Sequence, residues 1–223
     1  FTLSVDASGT VTLDQDRAIK HTDSNDHDSS TSLTSDLITL TREDTITDKD
    51  GDTSTGSDSI DLGTNLNFKD DGPSITVAKT VDAADTLTVD ESDLTINATA
   101  NFADNFTNTP TYGADGEGSV ASAYALSITS GVTGLVDTAT GDAVVLVMNG
   151  TSVEGQNSAG DVVFTLSVDA SGTVTLDQDR AVVHTDANDH NSTTALTSDL
   201  ITLTRTDTIT DKDGDTSTGS DSI

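Results

Sequence analysis

The sequence predicts an all-β fold in which antiparallel sandwich domains repeat in tandem. Apolar and polar residues alternate along short segments that end at Gly, Asp or Pro, as is typical of β-strands. No segment has the period of an amphipathic helix. A segment of sixty residues occurs twice, because residues 1–60 and 164–223 differ only at positions 19, 20, 24, 28, 30, 32 and 43 of the first copy. Such near-identity over a long period indicates repeated whole domains.

The domain boundary is predicted at Lys69–Pro73, where Gly and Pro end strand pairing before a new alternating segment. Residues 1–70 are interpreted as the C-terminal part of one β-sandwich repeat. Residues 71–223 are interpreted as most of the next repeat, lacking its final strand, since no second counterpart of Asp61–Asp70 is present. A missing strand leaves an open sheet edge, so strand exchange between truncated copies is expected.

The alternation also predicts individual strands. Residues 1–5 and 11–13 are expected to form a hairpin around the turn Asp6–Gly9. Residues 60–68 keep their apolar side chains on one face, which predicts one long final strand. The continuous apolar run 144–148 predicts a central strand of a sheet.

The charge of the chain restricts its partners. The formal net charge is −30, and 35 of the 39 acidic residues are Asp. Asp favours turns and short-armed oxygen ligands, whereas general solubilisation would use Glu as well. Such a polyanion is a poor partner for nucleic acid and a good one for cations. No apolar run approaches the length of a membrane span, so no direct membrane insertion is expected. The chain has no Cys, which makes bound metal the expected means of stabilisation.

An acidic turn is the most informative motif. Asp48, Asp50 and Asp52 alternate around Gly51, and Asp58 follows on the next strand. The second copy repeats the motif at Asp211, Asp213, Asp215 and Asp221. Carboxylates at alternating positions of a tight turn can converge on one hard cation, and Ca²⁺ tolerates irregular oxygen geometry. The motif is not an EF-hand, because no Glu closes the loop. The alternative interpretation is a solvated Asp/Gly hairpin turn.

The linker is the second candidate for cation binding. If the final strand ends at one pole of a sandwich, the turn that begins it lies at the other pole, where the domain starts. This places Asp211–Asp215 near Asp70 and Asp71, so that linker and turn are expected to share a calcium ion. The alternative is that these acids face water.

Other acidic groups carry weaker predictions. Asp90, Glu91 and Asp93 follow a short strand and are candidates for a further calcium site. Asp115–Glu117 and the pair Asp137 and Asp142 are expected to lie in solvated turns.

The sequence argues against an enzyme. The four His form two copied pairs in polar loops: His21 and His27, then His184 and His190. Their spacing does not suit zinc, and no Ser elbow accompanies them. Paired carboxylates could imitate a glycosidase, but the chain has no Trp to stack on sugar. Catalytic and organic-cofactor sites are therefore not expected.

The chain resembles the tandem extender repeats of large RTX biofilm adhesins, which type I systems secrete. The resemblance rests on Thr47–Asp52, on the linker Asp70–Ile75 and on Val89–Ser92. It implies immunoglobulin-like β-sandwiches strung end to end on the bacterial cell surface, with calcium within and between neighbouring repeats. The glycine-rich nonapeptides of RTX β-rolls are absent from this sequence, which implies a piece of the stalk.

Two functions are compatible with the sequence. The first is a calcium-stabilised structural spacer that rigidifies the stalk and projects a ligand-binding tip. The second is an adhesin module that itself binds carbohydrate or another surface, with Tyr112, Tyr124 and Phe106 as the candidate platform. Near-identical copies favour the spacer.

Overall fold

A computed structural model describes residues 1–24, 26–80, 85–186, 188–189 and 191–223. His190, one of the four His considered above, lies outside the described residues. The prediction of an all-β, antiparallel fold is confirmed. The chain forms two compact units: the first comprises residues 1–74, 112–119 and 210–216, and the second residues 75–111, 120–209 and 217–223.

The first unit contains three antiparallel strand pairs: β1 (Thr2–Val5) with β2 (Val11–Asp14), β3 (Ser30–Ser32) with β6 (Asn67–Lys69), and β4 (Thr39–Thr47) with β5 (Thr53–Asp61). The N-terminal hairpin is therefore confirmed, with Val5 opposite Val11. The first acidic turn connects β4 to β5, which pair along their whole length.

The prediction of one long strand over residues 60–68 is wrong. β5 ends at Asp61, a 3₁₀ turn (Gly63–Asn65) follows, and β6 begins only at Asn67. The chain breaks because the Asp61 side chain accepts the Gly63 N–H at 2.8 Å, which bends the backbone. A Cβ at position 63 would also collide with the Thr34 carbonyl oxygen, so glycine permits this bend.

The second unit contains all or most of each remaining strand and a second 3₁₀ turn (Phe102–Asn105). The strands are β7 (Ser74–Lys79), β8 (Ala98–Asn101), β9 (Phe106–Thr111), β10 (Glu117–Ile128), β11 (Val145–Asn149), β12 (Ser152–Gln156), β13 (Val162–Val168), β14 (Thr173–Gln178), β15 (Ile201–Asp211) and β16 (Thr216–Ser222). No helix in the described part of the chain is long and apolar enough to cross a bilayer.

These strands form a two-layer sandwich. One layer has the order β11-β12-β13-β14-β8, and the other contains β10-β15-β16 and the pair β7-β9. Between them, Val153 and Val174 of the first layer pack with Phe106, Leu126 and Leu203 of the second. Burial of these side chains removes apolar surface from water, which is the main stabilising contribution of the sandwich.

The prediction that residues 144–148 form a central strand is wrong. β11 lies at one edge of the five-stranded sheet, and among the described residues it pairs only with β12. Val144 is buried in a second apolar cluster, whereas Val145 and Val147 on the opposite face are half exposed. A continuous apolar run does not distinguish a central strand from an edge strand, because alternate residues of either strand lie in a core.

The repeated sequence occupies two different environments. Ile46 is 71% exposed on β4, whereas its counterpart Ile209 on β15 is fully buried. Arg42 and Asp44 likewise form an exposed ion pair. Their counterparts Arg205 and Asp207 form a buried one, in which Asp207 also accepts a hydrogen bond from the Asn108 amide at 2.6 Å. Burial alone would raise the pKa of Asp207, but the hydrogen bonds from Arg205 and Asn108 outweigh it and lower that pKa.

The two ion pairs provide a matched test of this difference. Asp207→Asn removes a buried charge and leaves Arg205 without its partner, so we expect the melting temperature to fall by about 4 °C. Asp44→Asn alters the exposed copy of the same ion pair and is expected to shift the melting temperature by less than about 1 °C. Thermal unfolding followed by circular dichroism measures both. Equal effects of the two substitutions would contradict the structural difference.

Candidate metal centre

The second acidic turn closes the hairpin between β15 and β16. The Asp211 N–H donates to the Asp215 carbonyl oxygen at 3.0 Å. Asp211 Oδ1 accepts the Gly214 N–H at 3.0 Å and the Asp215 N–H at 2.8 Å. Gly214 has a φ of +113°, a conformation that residues with a side chain rarely adopt. One oxygen of Asp211 therefore builds the turn, and its Oδ2 is buried without a hydrogen-bond partner.

The linker residue Asp70 lies beside this turn. Its N–H donates to the Ser29 carbonyl oxygen at 2.9 Å, and its Oδ1 accepts the Asp71 N–H at 2.9 Å. The Asp70 side chain is only 1% exposed. Its carboxyl group contacts that of Asp215, another buried residue. The linker and the turn, which are far apart in sequence, thus bring their carboxylates together.

A third segment contributes Asp115. The loop between β9 and β10 is anchored to the linker, because the Ala114 N–H donates to Asp71 Oδ2 at 3.2 Å. Gly118 lets the start of β10 approach the end of β15, since a Cβ there would collide with the carbonyl oxygens of Thr210 and Asp211. The loop therefore holds Asp115 next to the second acidic turn.

Together these segments form what we call the acidic cluster: Asp70, Asp115, Asp211, Asp213 and Asp215. Asp115, Asp211 and Asp213 each offer an oxygen, and these atoms lie within 4.8 Å of one another. His21, Asp70 and Asp213 form a second group that meets the same distance limit. A cavity of about 30 Å³ adjoins them, with His21, Asp70, Asp71 and Asp115 in its lining. This volume is sufficient for a water molecule or an ion.

Burial and neighbouring negative charges raise the pKa values of three members of the acidic cluster. Burial, followed by the charges of Asp70, Asp213 and Asp211, raises the pKa of Asp215 to about 6. Burial and the adjacent Asp213 raise the pKa of Asp211, and burial and the same neighbour raise that of Asp115.

Asp213 shows the opposite net effect. Burial favours its neutral form, but the adjacent Asp211 carboxyl and the hydrogen bond from the His21 N–H outweigh burial and lower the pKa of Asp213. Without a cation, the simultaneous ionisation of Asp115, Asp211 and Asp215 is therefore unfavourable.

The acidic cluster has unused ligand atoms. Asp70 Oδ2, Asp211 Oδ2, Asp213 Oδ1 and Asp215 Oδ2 are buried and have no hydrogen-bond partner. Within the described residues, no Lys or Arg forms an ion pair with any member of the acidic cluster. Buried, unpaired carboxylate oxygens are costly unless a cation neutralises them. The donor set is rich in oxygen and flexible in geometry, so it fits Ca²⁺.

The first acidic turn has the same backbone design but different surroundings. Asp48, Asp50 and Asp52 offer oxygens within 4.8 Å of one another, and all three residues are exposed. Asp48 Oδ1 accepts the N–H groups of Asp50, Gly51 and Asp52. Hydrogen bonding with the Asp50 carboxyl and with these N–H groups lowers the pKa of Asp48. Among the described residues, no further carboxylate joins this group.

The structure does not place Asp58 or Asp221 in either turn's group of ligand atoms. Asp58 is exposed on β5, and its Oδ1 accepts the Ser59 N–H. Asp221 uses both carboxylate oxygens for backbone, accepting the Lys79 N–H at 2.7 Å and the Ser222 N–H at 2.8 Å. These two residues stabilise strands.

Comparison with known families adds one finding. A family model described as a domain of unknown function (DUF5801) matches residues 1–63 and 86–223. The chain belongs to this family. In the DUF5801 chain, the matched residues include His21, Asp115 and the second acidic turn, whereas Asp70 and Asp71 lie between the two matched stretches. Searches of curated proteins and of solved structures found no match.

The candidate group Asp90, Glu91 and Asp93 does not converge. Asp90 Oδ1 accepts the Ser92 N–H, and Asp93 Oδ1 accepts the Thr95 N–H, so each builds a local turn. Glu91 Oε1 accepts the Val182 N–H at 2.7 Å and the Gln178 amide at 2.8 Å. Its carboxylate therefore anchors a loop of the second unit.

Removal of the Glu91 carboxylate is expected to affect stability alone. Glu91→Ala leaves two donors without their acceptor, so the melting temperature should fall by about 3 °C, with calcium stoichiometry unchanged. Asp93→Ala removes an exposed turn contact and is the control. It should lower the melting temperature by less than Glu91→Ala does. Calorimetric titration and thermal unfolding measure the two quantities. Loss of a calcium ion in Glu91→Ala would instead assign Glu91 to a metal site.

Two expectations of solvated turns are wrong. Asp115 is half-buried in the acidic cluster. Asp137 is fully buried, and its Oδ2 accepts hydrogen bonds from Arg180 and from the Asn157 amide. These contacts, with Arg180 the strongest, hold the pKa of Asp137 well below its usual range. A short Asp/Gly motif does not reveal which neighbours the fold will bring to it.

Sequence reasoning also missed His21 as a member of the site. Its side chain is 3% exposed, and its Nδ1 lies 3.1 Å from Asp70 Oδ1. The copied His184 is instead half-buried, with its Nε2 3.5 Å from Glu91 Oε1. No signal in the sequence separates His21 from His184, because the two lie at equivalent positions of nearly identical segments.

The expected aromatic platform for ligand binding is not formed. Phe106 is 4% exposed and belongs to the core of the sandwich. The Tyr124 ring packs against Phe106, with 6.4 Å between ring centroids, and against the Arg205 guanidinium. Two of the three predicted platform residues therefore serve packing.

Proposed function

We propose that this chain is a calcium-stabilised structural extender repeat of a giant RTX-type bacterial surface adhesin. The observation that carries the proposal is the acidic cluster. The linker and the second acidic turn supply buried carboxylate oxygens without hydrogen-bond partners, and a loop adds the half-buried Asp115. Calcium, when bound, supplies positive charge and a flexible coordination shell. Asp70, Asp115, Asp211, Asp213 and Asp215 are the residues that would hold it.

The position of these residues in the sequence supports a role in stiffening the joint between neighbouring repeats. A cation held by Asp70 and by Asp211–Asp215 links segments that are about 140 residues apart along the chain. Such a link restricts the conformations of everything between them, as other cross-links do. Where the same linker recurs along an array, each joint would become stiff in calcium and loose without it, because uncompensated carboxylates repel one another.

The location that we propose is extracellular, on the bacterial cell surface, as the resemblance to RTX extender repeats implies. Extracellular calcium is abundant, so weak to moderate oxygen sites are filled there. Near-identical copies suit a spacer whose function is length, since repetition of one module adds reach without adding a new binding surface. The partners of such a module are calcium ions and the neighbouring repeats.

Small-angle X-ray scattering of this chain and of a longer tandem array tests the stiffening. With saturating calcium we expect the array to scatter as an extended rod. With a chelator we expect a broader distribution of intramolecular distances and a smaller average dimension. Asp70→Asn in each linker should make the calcium sample resemble the chelated one. Identical profiles with and without calcium would contradict a spacer that calcium rigidifies.

A further inference from the structure

The His21 ring has a fixed tautomer. Its Nε2 lies 3.1 Å from the Phe68 carbonyl oxygen. A carbonyl oxygen can only accept a hydrogen bond, so Nε2 must carry the proton that is donated. In the neutral ring Nδ1 then has a lone pair. This arrangement, with one ring nitrogen donating to a backbone carbonyl, is typical of a histidine that binds a metal through its other nitrogen.

Nδ1 of His21 points into the acidic cluster. It lies 3.1 Å from Asp70 Oδ1, yet the orientation of the two groups is not that of a hydrogen bond, and Nδ1 is buried without a partner. Asp70 Oδ1 already accepts the Asp71 N–H. The backbone N–H of His21 meanwhile holds Asp213 Oδ2 at 3.2 Å. When the ring is neutral, two electron-rich atoms therefore face each other at close range, and a cation bound between or beside them removes their repulsion.

We propose that His21 Nδ1, Asp70 and Asp213 form a separate site for a borderline divalent cation of the Zn²⁺ class. The three donor atoms lie within 4.8 Å of one another, and one of them is an imidazole nitrogen. Imidazole nitrogen suits Zn²⁺ and its neighbours among the transition metals, whereas Ca²⁺ takes oxygen ligands. The neighbouring position of Asp115, Asp211 and Asp213 offers oxygen alone, so the two positions select different ions.

Charge favours two cations over one. The acidic cluster contains five carboxylates, and one dication leaves three of their charges uncompensated. A second dication leaves only one. Asp213 belongs to both groups of ligand atoms and would bridge the two positions. The zinc-class site uses two carboxylates of the proposed calcium site, but its nitrogen ligand does not depend on whether calcium binds.

Zinc titration of the full chain in saturating calcium tests this site. NMR spectra of the ring nitrogens should show a large shift of His21 Nδ1 on zinc addition, with Nε2 still protonated. Calorimetry should show one zinc site, and His21→Gln should weaken it by at least about tenfold. His184→Gln alters the copied histidine outside the acidic cluster and should leave the affinity unchanged. The wild-type NMR titration does not depend on whether a variant folds.

The outcomes separate this inference from the proposed function. A His21 ring that keeps protons on both nitrogens and does not respond to zinc would show a simple ion pair with Asp70, and would overturn the site. Unchanged zinc affinity in His21→Gln would do the same. His21→Gln is expected to keep its calcium response. Zinc binding through His21 in a chain that does not bind calcium would leave this inference standing and contradict the calcium proposal.

Discussion

Saturating calcium is expected to raise the melting temperature of the wild-type chain by about 10 °C over the chelated protein. A ligand at a thousand times its dissociation constant stabilises the folded state by about 4 kcal/mol, and each 1 kcal/mol shifts the midpoint of a chain of this size by about 2–4 °C. The triple substitution Asp211→Asn, Asp213→Asn and Asp215→Asn should abolish most of this rise. In the presence of a chelator, the melting temperature of the triple variant should equal or exceed that of the wild-type chain, because the variant has lost three mutually repelling carboxylates.

The repeat supplies a matched control for this experiment. Asp48→Asn, Asp50→Asn and Asp52→Asn make the same chemical change in the exposed turn, and this variant should keep most of the calcium-dependent rise. Differential scanning calorimetry with calcium and with EDTA measures all three proteins. If the two triple variants lost the calcium response equally, the buried turn would have no special role. If the second-turn variant were destabilised in EDTA, its carboxylates would be structural acceptors.

The calcium-free protein is expected to become less stable as pH rises from about 4 to 7. The pKa of Asp215 is raised to about 6 in the folded chain, against an ordinary value of 3.8. Between these two values the folded state keeps a proton that the unfolded state has lost, so stability falls with increasing pH. The raised pKa values of Asp211 and Asp115 act in the same direction. The melting temperature should drop by roughly 6 °C across this window.

Two further measurements test this pH dependence, one with added calcium and one with a substitution. Calcium competes with protons for the same oxygens, so the rise in melting temperature on adding calcium should grow with pH. Asp215→Asn should flatten the calcium-free profile, whereas Asp52→Asn should leave it unchanged. Calorimetric melts in EDTA across this pH range provide the data. A calcium-free melting temperature that increases steadily up to pH 7 would contradict the raised pKa values in the acidic cluster.

Local patterns in the sequence were sufficient to predict the β class and several hairpins. The alternation in residues 1–13 depends only on neighbours along the chain, and the structure has the expected pairing of Val5 with Val11. The strand break after Asp61 was not predictable in this way. It depends on a hydrogen bond to Gly63 and on the distant Thr34 carbonyl, which no periodicity reports.

The two acidic turns have the same sequence but different surroundings in the structure. Residues 48–52 and 211–215 are identical in sequence, and both fold into the same hydrogen-bonded turn. Only the second is buried, because Asp70, Asp115 and His21 surround it. The direction of the strands predicted that Asp70 lies near this turn, but no local pattern in the sequence brings Asp115 or His21 to it. The different exposures of Ile46 and Ile209 have the same cause.

Anomalous X-ray diffraction from crystals grown in calcium tests the calcium site most directly. We predict a calcium peak among the carboxylates of Asp115, Asp211 and Asp213, with oxygen ligands at the distances that Ca²⁺ requires, about 2.3–2.6 Å. We predict that crystals of the Asp211→Asn, Asp213→Asn and Asp215→Asn variant lack this peak. The calcium site would be contradicted if crystals saturated with calcium showed well-ordered carboxylates in the acidic cluster and no anomalous peak between them.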